Sequence, residues 1–157
     1  MDSARQLLRH TIATLAYRAA KPLRDAPESF CKYRPAESAR SAVEILAHMG
    51  DLFDWALSSV QGQERWHNSK PQPWHEETVR FFAALAAFDA YLASDKPLHV
   101  SADKLFQAPI ADAFTHVGQI ALMRRLAEAP VRAENYLVAK IAVGTVGSQQ
   151  AAPVYEF

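Results

Sequence analysis

Long stretches with apolar residues at every third or fourth position alternate along the chain with short stretches broken by proline or glycine. From residue 3 to residue 20, Leu8, Ile12, Leu15 and Ala19 share one helical face, and the helix is predicted to stop before Pro22. Residues 25 to 35 hold two prolines and no period, so they read as a loop. A second helix is predicted over residues 38 to 60, with Ile45, Met49, Leu52, Phe53, Ala56 and Val60 on its apolar side. Ser41 and Glu44 offer a capping-box pattern near its start. Residues 61 to 73 are polar and include Pro71 and Pro73, again a loop. Glu76 and Glu77 fit the first turn of a third helix, where the dipole favours acids, and Phe81, Leu85, Phe88 and Leu92 follow before Pro97.

A fourth helix is predicted over residues 108 to 127, with Pro109 in its first turn, where a missing amide proton is harmless, and Pro130 at its exit. Residues 131 to 141 read as one further short helix, and the tail from Val143, with Gly144, Gly147 and Pro153, as irregular. With no strand alternation, the fold class expected is all-α: an antiparallel four-helix bundle with an additional short C-terminal helix. The loop after the second helix is long enough to permit a crossover.

A chain of 157 residues suits a single domain, residues 1 to 157. Basic and acidic residues balance at 17 each, so no global field recruits nucleic acid or an anionic membrane, and neither is expected as a partner. The start, Met1 to Arg5, lacks the pattern of a secretory signal, and the apolar run Ala83 to Phe88 is too short to cross a bilayer. Cys31 is the only cysteine, which excludes an internal disulfide and fits a reducing compartment. A cytoplasmic protein is expected.

Asp112 and His116, four residues apart, stack on one face of the fourth helix, and Gln119 and Met123 continue that line. The face carries Ile120 as well, so it is expected to turn inward, where an acid and an imidazole need a partner. On the second helix, Ser41, His48 and Trp55 recur at seven-residue spacing along the border of the apolar stripe. If the two helices face each other, His48, Asp112 and His116 form a two-histidine, one-carboxylate site for Zn²⁺, Ni²⁺, Fe²⁺ or Mn²⁺, with coordination positions left open as in catalytic centres. Such an ion makes a nucleophile of water or of a small thiol at neutral pH. Gln119 is placed to hydrogen-bond a ligand or substrate, Glu44 to orient the His48 imidazole, and Trp55 to line the same region. The same spacing also fits a structural reading, with Asp112 a first-turn residue favoured by the helix dipole.

The loop residues Trp66 and His67, with Trp74 and His75, read either as an aromatic lid over the pocket or as a surface contact between copies. Arg124 and Arg125 complement the negative pole of the fourth helix. His10 and His99 have no ligand partner in the pattern. No glycine-rich phosphate cradle, nucleophile elbow or zinc-finger spacing is present.

The string from Asp112 through Thr115, His116, Gly118 and Gln119 to Arg125 resembles the last long helix of the DinB-like superfamily of metal-binding four-helix bundles, and Ser41 through Glu44 and His48 to Asp51 resembles its second helix. His48 and His116 match the first and last ligands of that pattern, and Gly118 and Gln119 match its motif tail. Asp112 stands where the family has its middle histidine, and Val117 where it has an arginine. The resemblance implies an antiparallel bundle, commonly a homodimer, with a divalent ion in a pocket and a small-molecule substrate. It implies metal-dependent hydrolase chemistry, or transferase chemistry with a low-molecular-weight thiol. The alternative is a non-catalytic dimeric binding protein whose metal site is vestigial.

Overall fold

The first helix, α1 (Ser3–Leu23), begins where the Asp2 side chain accepts the Arg5 backbone amide at 2.7 Å. It runs through Pro22, past the predicted stop, because a proline this close to the end removes little of the hydrogen-bond ladder. Asp25, at φ 51°, follows in the left-handed region that aspartate tolerates better than most residues. The computed structural model describes residues 2–157, so Met1, in the amino-terminal stretch read above, lies outside the described residues.

A single turn, α2 (Glu28–Cys31), forms inside the predicted loop and seats the buried Phe30 edge-on to Trp74. Helix α3 (Ala42–Val60) carries the full capping box: the Ser41 side chain accepts the Glu44 amide, and the Glu44 carboxylate accepts the Ser41 amide at 2.7 Å. That reciprocal cap sets the start at Ala42, so residues 38 to 40 stay outside the helix. Helix α4 (Trp74–Ala93) follows the crossing loop.

The predicted fourth helix begins earlier than its pattern suggested. A turn of α-helix, α5 (Ala102–Leu105), a π-helical turn (Phe106–Ile110) and α6 (Ala111–Leu126) follow one another without a break. Pro109 lies inside the π turn, not in a first turn. A proline has no amide proton to give and crowds the carbonyl one turn back, and the wider π turn accommodates both. Asp112 is therefore well inside a continuous helical rod, which removes a first-turn dipole explanation for it.

Helix α3 packs along α4 and α6, and α1 packs on the same two helices from the other side. Phe53 meets Phe81 and Phe88 in the core between α3 and α4. Contacts advance in the same direction along that pair, from Asp51 with Arg80 to Val60 with Tyr91, so α3 and α4 run parallel. A parallel pair needs a crossover. The 19-residue α3 is about 28 Å long at ~1.5 Å per residue, and residues 61 to 73 retrace that length in extended form. Arg65 meets Ser58, and Ser69 meets Asp51, on the way back.

Two buried arginines close helix ends. Arg5 donates to the carbonyls of Leu92, Ser94 and Lys96 at the end of α4. Arg124 donates to Ala129, Pro22 and Arg24, so it satisfies carbonyls at the end of α1 as well as beyond its own helix. Its role is wider than the dipole complement read from sequence. Residues 131 to 141 form no α-helix, only one 3₁₀ turn (Tyr136–Val138). The irregular tail is tied to α1 instead: Tyr17 donates to the buried Glu134, Lys21 pairs with Glu156, and Glu134 and Glu156 form an isolated β-bridge. Among the described residues, no helix is long and apolar enough to cross a membrane.

Candidate metal centre

His48, inward on the flank of α3, faces α6 because Ile45, Met49 and Leu52 bury the neighbouring positions of its helix. From α6, His116 points at the same place. The two rings meet edge to face, with centroids 5.0 Å apart at near right angles, and the Asp112 carboxylate reaches the Nε2 edge of both. Its Oδ2 is 3.4 Å from His48 Nε2 and its Oδ1 is 3.4 Å from His116 Nε2. One ligand atom from each of the three residues lies within 4.8 Å of the other two. The imidazoles are largely buried, but 45 % of the Asp112 side chain is exposed. The expectation of a buried acid thus gives way to a carboxylate at the mouth of the site, hydrated on its outer side.

Gln119 Oε1 stands 2.7 Å from His116 Nδ1. An amide oxygen only accepts, so the Nδ1 proton is donated to it, and in the neutral ring the Nε2 lone pair is left facing Asp112. His48 titrates below its ordinary value, first because burial disfavours the imidazolium, then because Arg40 and His116 oppose its charge, with Asp112 pulling the other way. A neutral imidazole is the form that binds metal.

The other expected residues divide. Glu44 does not orient His48: its carboxylate is taken by Ser41 and by Arg34 at 2.9 Å. Trp55 donates to Glu64 and packs against Trp66. Trp66 in turn lies edge-on to His48 at 5.6 Å, so the crossing loop does bring one aromatic ring onto the site. Trp74 is elsewhere, donating to the Leu23 carbonyl beside Phe30. His75 lines a cavity of about 660 Å³ between the end of α1 and the start of α4, on walls that include none of the three residues of the trio.

A second group was not foreseen. His67 Nε2 lies 3.0 Å from the buried Asp51 and 3.4 Å from Asp54. This set already holds a cation, because Arg80 places its guanidinium 3.0 Å from Asp51, 3.3 Å from Asp54 and 2.8 Å from the fully buried Glu77. Burial works against the Arg80 charge, but Glu77 and Asp51 outweigh it and raise its pKa. The legible signal was the acid pair on α3, Asp51 and Asp54; its partner lay in another helix. Asp51 also accepts the Ser69 amide and hydroxyl, and Glu77 accepts the Gln72 amide. The cluster thereby fastens the crossing loop, and with it Trp66. A loosely hinged lid does not fit these bonds.

Two cavities reach the two histidines separately and share Ala39 and Arg40. One, about 350 Å³, is polar and includes His48, Asn68 and Ser69; the other, about 370 Å³, runs along α6 past His116. No family model, curated protein or solved structure matches the chain.

Proposed function

We propose that the chain is a DinB-like antiparallel four-helix bundle in which His48, Asp112 and His116 hold one divalent ion, Zn²⁺, Ni²⁺, Fe²⁺ or Mn²⁺. In this reading α1 pairs antiparallel with α4, and α3 with α6. The observation that carries it is the contrast between the two histidine and acid clusters. Around Asp51 the cation is Arg80. Among His48, Asp112 and His116 no side-chain cation of the described residues is within hydrogen-bond range, and with the His116 ring neutral its Nε2 lone pair faces a carboxylate oxygen. Ligands held at about 2.0–2.1 Å around a tetrahedral ion stand about 3.3–3.4 Å apart, the separation of both imidazole–carboxylate pairs here.

When bound, the ion would supply Lewis acidity that turns water or a low-molecular-weight thiol into a nucleophile. The chain's own groups do the rest. Gln119 holds the His116 tautomer, Trp66 and burial keep water from one side of His48, and Asp112 lends negative charge at the open side. The reaction class is attack of that nucleophile on an electrophilic small molecule, hydrolase or S-transferase in type. A cytoplasmic homodimer is part of the same reading.

A second reading is favoured by one observation: Asp112 reaches both imidazoles at hydrogen-bonding range, so protonated histidines would satisfy the trio without metal. The protein would then be a non-catalytic binding bundle. Metal analysis of tag-free protein separates the two. Near-stoichiometric ion, lost in His116→Ala with helical content kept, is expected; full retention of metal in that variant refutes the site.

A further inference from the structure

The chemistry around the trio also bears on what it acts upon. Arg34 and Arg40 both lie in the segment before α3, but Arg34 is committed to Glu44. Arg40 makes no ion pair or side-chain hydrogen bond among the described residues. It is exposed, and it is the charged residue common to the walls that contain His48 and His116. From Arg40 a trough of about 370 Å³ runs along α6 between Ile45 on one side and Leu122, Met123 and Leu126 on the other. Leu122 and Leu126 are each 53 % exposed, large apolar surfaces left to water beside the polar head of the trough. A concave site with apolar walls and a few convergent polar groups, in the range of about 300–1,000 Å³, is the usual form of a small-ligand pocket.

We propose that the ligand of this trough is a small amphipathic carboxylate, its acid group held by Arg40 and its apolar body lying on Leu122, Met123 and Leu126, with its reactive end at His116. A guanidinium fork matches a carboxylate bidentately. One unpaired arginine in the walls that hold His48 and His116 supplies a single positive charge, which matches a carboxylate better than a phosphate dianion. The assignment of a reactive end rests on the reading of the trio as an active site; the acid and apolar contacts do not.

The test uses hexanoate, hexanol and hexylamine as probes, titrated calorimetrically into metal-loaded and metal-free full-length protein. Hexanoate is expected to bind at least about tenfold more tightly than hexanol or hexylamine, the gain of one charge-assisted pair. Arg40→Gln, at an exposed loop position, should erase that preference and leave hexanol binding unchanged. Leu122→Ser should weaken both hexanoate and hexanol. Equal binding of the three probes, a preference that survives Arg40→Gln, or no hexanoate binding to either form overturns the proposal. So does a trough closed by a second copy, seen as absent binding together with a dimer that Leu122→Ser converts to monomer. An Arg40-dependent preference in protein that takes up no metal would sustain this subsite and sink the metal reading. Normal metal uptake without the preference would do the reverse.

Discussion

Gly50 on α3 and Arg80 on α4 touch so closely that a side chain at position 50 would begin 2.7 Å from the Arg80 guanidinium carbon. The absence of a Cβ lets the guanidinium lie across α3 and donate to the Ala47 carbonyl at 2.6 Å while it binds Asp51 and Glu77. Gly50→Ala would add about 1 kcal/mol of helix propensity. It would also displace a guanidinium whose charge-assisted bonds are worth about 1.5–3 kcal/mol each. Net destabilisation of about 1–2 kcal/mol is expected, and a chemical denaturation curve with an unchanged or raised midpoint would refute the contact.

Removing Arg80 has a larger consequence. Asp51 is 3 % exposed and Glu77 not at all, so Arg80→Ala leaves two buried carboxylates without their counter-charge. A loss of about 3–5 kcal/mol is expected from breaking such a group on one side. Because Asp51 and Glu77 also hold Ser69 and Gln72, the crossing loop should loosen. Limited proteolysis between residues 61 and 73 should become faster than in wild type, and Trp66 fluorescence should shift to the red.

Gln119 acts on His116 from outside the proposed coordination. Its amide oxygen sets which ring nitrogen of His116 keeps the proton. Gln119→Ala is expected to weaken metal affinity about 10–100-fold with the helical content unchanged, since the residue is exposed. Competition with a chromophoric chelator reads this directly. An unaltered affinity would mean that the tautomer is held by something else.

Acid should uncap α3. The Ser41 backbone amide and then Arg34 hold the Glu44 carboxyl down at about 2, from an ordinary 4.5. A folded-state pKa below the unfolded one stabilises the fold while the group is ionised in both states. That contribution is present above about pH 4.5 and is lost as pH falls toward 2. Glu44→Gln should therefore lower the urea midpoint at neutral pH and flatten its decline below pH 4.5. Parallel acid limbs in the two proteins would show that the cap does not titrate.

The residues that anticipated the structure are those whose partners lie within their own helix. Ile45, Met49, Leu52 and Phe53 repeat at the helical period, and the Ser41–Glu44 box closes over three residues. Asp112, His116 and Gln119 fall on one face for the same reason. Where a role was assigned beyond that local reach, the pattern misled. Glu44 was drawn to its own helix terminus, not to His48. Pro109 looked like a first-turn residue but sits in a π turn, and Arg124 turned out to close the end of α1.

The amino-acid sequence by itself determined the helical character of the chain, the approximate extent of its long helices and the shared face of Asp112 and His116, because periodicity and capping are properties of neighbours. Tertiary structure alone decided that α3 and α4 run parallel, that the loop between them retraces α3 and lays Trp66 on His48, and that Arg80 fills one acidic cluster while Arg40 stays unpaired beside the other. Those outcomes depend on which buried charges meet across helices far apart in the chain, and desolvation makes that pairing costly to get wrong.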